Sequence, residues 1–119
     1  MPESFGERLR EFALIFAGTR EEFSFGPDSP LYKAPNGKIF AITSEHADGT
    51  HVTLKLTPEE ATEALSLPFV RPAPYLARHH WVLAIVQTEP EFEMTVMWLR
   101  RSHELVTRSL ARVRKSRGR

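Results

Sequence analysis

The apolar positions along the chain change period several times, and each change marks an element. Ser4 followed by Glu7 has the spacing of a capping box, and Leu9, Phe12, Ala13 and Phe16 recur at helical intervals until Gly18. That pattern predicts a first helix over residues 4–17. Phe23 and Phe25 alternate with Ser24, residues 26–30 break the alternation and residues 31–33 resume it, which predicts one irregular first strand. Pro35, Asn36 and Gly37 supply turn chemistry before a returning strand over residues 38–43. A second turn at Ala47, Asp48 and Gly49 leads into residues 50–56. There Val52, Leu54 and Leu56 share one face while His51, Thr53 and Lys55 share the other, the mark of a half-exposed strand.

Thr57, Pro58, Glu59 and Glu60 form a strong helix start, because Thr caps, Pro suits the first turn and Glu60 reaches back to the cap. This second helix is short and ends near Leu67. Pro68, Pro72 and Pro74 exclude helix from residues 69–75 and predict an extended edge ahead of the apolar strand 81–86. Thr88 and Glu91 repeat the capping-box spacing, and Phe92, Val96, Leu99, Val106 and Leu110 trace one stripe of a long last helix. The predicted order is helix, three strands, helix, two strands, helix. Residues 38–43 and 81–86 are apolar at both strand parities, so the sheet is expected to be covered on both faces. The second cover is either the proline-rich segment or the last helix folded over, or a second copy of the chain.

Composition fits that picture. The 119 residues are 41% hydrophobic and 26% charged, ordinary values for one globular domain, here expected over residues 1–113 with a basic tail at 114–119. The chain has no cysteine, which removes disulfides, thiolate zinc sites and cysteine nucleophiles together. Apolar runs of six residues are too short to cross a bilayer, and Glu3, Glu7 and Glu11 interrupt the N-terminus, so a cytoplasmic protein without a membrane partner is expected.

Charge changes the picture more. The net charge is only +1, yet residues 99–119 hold eight Lys or Arg against Glu104 alone, or +7. The other 98 residues hold eight basic and fourteen acidic side chains, or −6. An anionic partner would therefore meet the C-terminal end and be repelled by the rest.

The segments Phe23-Ser24-Phe25-Gly26, Gly37-Lys38-Ile39-Phe40-Ala41, Thr53-Leu54-Lys55-Leu56 with Thr57-Pro58-Glu59-Glu60, and Arg71-Pro72-Ala73-Pro74-Tyr75-Leu76 with Arg78-His79 and Trp81 resemble the MmcQ/YjbR family. The resemblance covers nearly the whole chain. It implies an α+β, two-layer domain with an antiparallel sheet and helices on one face, similar in element order to bacterial secretion chaperones, and it implies DNA binding. The chain departs from the family pattern at His80, where many relatives carry Gly, and in its arginine-rich end.

Two sets of residues are candidates for function. On a helical wheel Arg100, Arg101, Arg108, Arg112 and Lys115 gather away from the apolar stripe, and with Arg114 and Arg117 they form a candidate nucleic-acid-binding set, since guanidinium forks suit phosphate. Lys55, Arg71, Tyr75, Arg78, His79 and Trp81 form a candidate recognition surface of cations and aromatics on a proline-stiffened segment. An apolar sheet face around Phe40 and Trp81 is the alternative, a docking place for a protein partner or a second copy. His79 and His80 are adjacent and on a strand would point to opposite faces. His46, Asp48 and His51 lie at a turn as a chance cluster, and Glu59, Glu60 and Glu63 suit a helix N-terminus. No phosphate loop, nucleophile elbow or HExxH motif is present, so neither catalysis, metal nor cofactor is expected.

Overall fold

The computed structural model describes residues 3–74 and 76–117, with side chains as far as Arg108. Its elements are α1 (Phe5–Ile15), β1 (Arg20–Glu22), β2 (Leu31–Lys33), β3 (Ile39–His46), β4 (Gly49–Lys55), α2 (Pro58–Leu65), β5 (Val70–Pro72), a 3-10 turn (Ala77–His79), β6 (Trp81–Val86) and α3 (Glu89–Arg117). The six strands form one antiparallel sheet in the order β1-β2-β3-β4-β6-β5.

All three helix starts carry the reciprocal cap expected of them. Ser4 and Glu7, Thr57 and Glu60, and Thr88 and Glu91 each exchange side-chain and backbone hydrogen bonds, satisfying amides that the helix leaves without partners. The strand count differs from expectation, since four strands precede α2 and not three. Phe23 and Phe25 lie outside any strand, 52% and 60% exposed, and the first strand is the polar Arg20–Glu22. Alternation over residues 23–25 imitated a strand, whereas the real one is fixed by register: Glu21 pairs with Tyr32, whose hydroxyl donates to the Glu21 carboxylate at 3.0 Å.

The helices cover one face. Val52 and Leu54 of β4, Val82, Ala84 and Val86 of β6, and Val70 of β5 stand opposite one another in register and pack against Leu9, Ala13, Ala61, Ala64, Phe92, Val96, Leu99 and Val106. A register shift between β2 and β3 pairs Tyr32 with Ala41 and Lys33 with Ile39, leaving Phe40 as the extra residue of a bulge. The bulge sends Phe40 into the helix layer, where it meets Phe16 and His103 edge-on. Apolar character at both parities of residues 38–43 therefore reflects a bulge in part, while on the face away from the helices Leu31 and Ile85 are also buried, at 1% and 9% exposure. The apolar stripe of α3 is buried through Val106; Leu110 lies outside the described side chains. The helix continues across residue 113 without a break to Arg117, about 43 Å in all.

Candidate nucleic-acid interface

The opposite face of the sheet is built by the alternate residues. Leu31 pairs with Ile42, Ile42 with Thr53, Ser44 with His51, Lys55 with Trp81, and Leu83 with Arg71. Of these, Ile42, Thr53, Lys55, Trp81 and Leu83 are partly exposed, Arg71 is exposed, Leu31 is buried, and none belongs to a core cluster. Three of the six residues expected to form a recognition surface, Lys55, Arg71 and Trp81, thus share one face. Arg78 and His79 are exposed on the 3-10 turn that leads into β6, and the His80 carbonyl accepts from the Leu56 amide at 3.1 Å, which holds that turn beside the end of β4. Tyr75 lies outside the described residues. His79 and His80 do not alternate across a strand as expected, because His80 caps the turn in the left-handed conformation with φ 66° and ψ 28°.

Phe40 is not on this face. It is fully buried on the helix side, so the apolar docking patch expected around Phe40 and Trp81 retains Trp81 only. Ile39, Ile42 and Leu83 are its other partly exposed aliphatic members, placed there by the strand register.

Through Val106, α3 packs on the covered face, so Arg100 and Arg101 belong to the side of the sheet away from the open face. Arg101 donates through Nε to both carboxylate oxygens of Glu60 in α2, at 2.8 and 3.1 Å, and through Nη1 to Glu104 at 2.6 Å. Arg108 reaches the same Glu104 at 2.9 Å. Desolvation works against the charged form of Glu60, but the Thr57 amide and Arg101 outweigh it and hold the carboxyl below its ordinary range. The carboxylates also raise Arg101 further above its already high value. Arg100 is exposed, with its guanidinium 5.8 Å from the centre of the Phe12 ring. Arg112, Arg114, Lys115 and Arg117 lie on the described helix backbone, but their side chains are outside the described set.

Clefts lie elsewhere as well, two of them along helices. One of about 550 Å³, beside the start of α1, is lined by Arg10, Glu21, Phe23, Tyr32 and Glu45. Its polar groups already partner one another: Arg10 donates to Glu21 at 2.7 Å and Thr50 to Glu45 at 2.6 Å. Arg10 holds the Glu21 carboxyl below its ordinary range, while burial pushes the Tyr32 hydroxyl up. The other, of about 520 Å³, lies between α2 and α3 and is lined by Ala64, Leu67, Met94, Met97 and Trp98, with Met97 66% exposed. The hairpin turn brings the rings of His46 and His51 to 3.9 Å and Asp48 to 2.7 Å from His51. Among the described residues no group of three or more His, Asp or Glu is arranged to hold a metal ion. No described helix is long and apolar enough to cross a membrane.

The YjbR family model matches residues 14–105, from α1 to just past Glu104. The chain belongs to the YjbR family. Among solved structures, this YjbR chain is similar to the Deinococcus radiodurans protein DR2400, which carries the family-model domain DUF419, at 23% identity with a TM-score of 0.73 over 90% of this chain and 81% of that one. A Pseudomonas syringae protein is similar at 16% identity with a TM-score of 0.65, over 83% of this chain and 96% of that one. These likenesses show the shared fold. No curated protein matches the sequence.

Proposed function

We propose that this YjbR domain is a cytoplasmic DNA-binding module with a binding and not a catalytic role, and that it holds the duplex backbone electrostatically through the cationic far end of α3. The observation that carries the reading is the continuity of α3 from Glu89 to Arg117. Past Glu104 it has no acidic residue, and it carries Arg108, Arg112, Arg114, Lys115 and Arg117. A preformed helix with cations on successive turns meets phosphate without the cost of ordering a loose tail.

The ion pairs divide the expected set in two. Arg101 and Arg108 already satisfy carboxylates, so phosphate must compete with Glu60 and Glu104 for them, whereas Arg100 has no acidic partner among the described residues. The grip is therefore assigned chiefly to Arg100 and to the helix beyond residue 108. Binding of a labelled duplex, measured by anisotropy at low salt, tests the reading; absence of binding there removes it. A docking role for a protein partner or second copy on the open sheet face is the alternative, weakened by the burial of Phe40.

A further inference from the structure

The acidic body is not uniformly acidic. Eight of its fourteen carboxylates, Glu7, Glu11, Glu59, Glu60, Glu63, Glu89, Glu91 and Glu93, are on the helices. Strand register places Glu21 and Glu45 on the covered face as well, since they pair with Tyr32 and Thr50. On the open face the same register places Arg20, Lys33, Lys55 and Arg71 against Glu22, and Asp48 reaches that face at His51, so four cations and two carboxylates leave +2 on one side of a −6 body. Glu22 is held by Lys33 at 3.0 Å, while Arg20, Lys55 and Arg71 make no ion pair among the described residues. The partly exposed Trp81 stands directly opposite Lys55, and on the next strand Arg71 stands opposite Leu83, two residues along from Trp81.

We propose that the open sheet face is a binding platform for single-stranded nucleic acid, with Trp81 stacking on a base and Lys55 and Arg71 holding the flanking phosphates. A strand face suits this ligand for three reasons. Its alternate side chains present to one side, its strand cations outnumber its carboxylates, and an indole beside Lys55 and Arg71, which make no ion pair among the described residues, offers stacking and phosphate contact together. Protein docking would instead use Ile39, Ile42 and Leu83 beside Trp81, an apolar patch from which the bulge has removed Phe40 and which the cations of Lys55 and Arg71 border. The platform lies on the opposite side of the sheet from α3 and does not depend on the duplex-binding role assigned to that helix.

The test uses the full chain with Arg112, Arg114, Lys115 and Arg117 changed to Gln, so that affinity from the end of α3 does not mask the sheet. Trp98→Phe, at the chain's other tryptophan, leaves Trp81 as its single indole. An oligothymidine of about 16 nucleotides, the upper end of usual site sizes, is titrated while indole emission and the anisotropy of a label are followed. Saturable quenching of Trp81 is expected. Lys55→Gln with Arg71→Gln should make the slope of log affinity against log salt shallower by about 1.4, at 0.7 per single-strand phosphate. Trp81→Leu should weaken binding about tenfold or more, and the Gln pair keeps the question answerable if that variant fails to fold. The proposal is overturned by rising anisotropy with unchanged Trp81 emission, by absence of binding, or by oligoglutamate quenching Trp81 at lower concentration than the oligonucleotide. Duplex binding by the chain with its α3 cations intact is scored separately, so either role can fail alone.

Discussion

The hydroxyl of Ser102 donates to the carbonyl of Phe40 across 2.7 Å. The same oxygen accepts from the Lys55 amide at 3.0 Å, so a side chain of α3 bridges β3 and β4 just beyond their last pair, Ala41 with Leu54. Ser102 is fully buried. Ser102→Ala would leave an enclosed amide and carbonyl without partners, at about 1–3 kcal/mol for the unmet groups. Urea unfolding should show a lower midpoint with an unchanged slope, because the loss is one of stability and not of compactness. A midpoint within error of the parent would contradict the bridge.

His80 is the one non-glycine residue with positive φ among the described residues. That conformation is costly for side chains with a Cβ, and glycine adopts it freely. The exposed ring makes no side-chain hydrogen bond among the described residues. His80→Gly should raise stability by about 0.5–1 kcal/mol after the larger chain entropy of glycine in the unfolded state is counted. His80→Val should lower it, and both are read from the same urea titration.

His103 gives the fold a pH dependence. Its ring stacks on Phe16 at 4.0 Å and meets Phe40 edge-on at 4.9 Å, and its Nε2 is enclosed without a partner. Burial pushes its pKa down. The unfolded chain therefore binds a proton that the folded chain refuses, and stability present above the ordinary histidine value of about 6.5 is lost as pH falls below it. The loss is complete once pH passes the lower folded value. His103→Leu should flatten the stretch of the stability profile just below about pH 6.5, leaving the carboxylate-driven loss at lower pH. An unchanged profile would show that the ring is protonated in the folded state as readily as outside it.

Glu104 restrains Arg101 and Arg108 together. Glu104→Gln should strengthen duplex binding and steepen the slope of log affinity against log salt by about 0.9, one added phosphate, because Arg101 remains with Glu60. Weaker binding in this variant would mean that the arginines act only when Glu104 orients them.

Local signals carried much of this structure. The three capping boxes, the turn at Asp48 and Gly49 and the β4 alternation were all legible, because each depends on residues within four positions of one another. The Gly49 turn shows why: φ is 134° there, a backbone conformation that glycine takes without a Cβ clash against its own chain neighbours. Long-range register was not legible. No local pattern separates Phe23-Ser24-Phe25 from a strand or marks Phe40 as a bulge, so the first strand was misplaced and Phe40 was assigned to the wrong face. The pairing of Arg101 with Glu60 spans 41 residues and joins two helices whose contact no helical wheel contains. Arg20 and Lys33 join the open face only through the β1–β2 register.

The central claim is that the end of α3 holds duplex phosphate. The most direct measurement is anisotropy with a labelled duplex across a salt series, comparing the intact chain with one carrying Gln at Arg112, Arg114, Lys115 and Arg117, with helicity checked in both. The account predicts binding by the intact chain and a slope shallower by about 3 to 4 units in the variant, near 0.9 for each phosphate released. Equal slopes, or no binding by either chain at low salt, would contradict it.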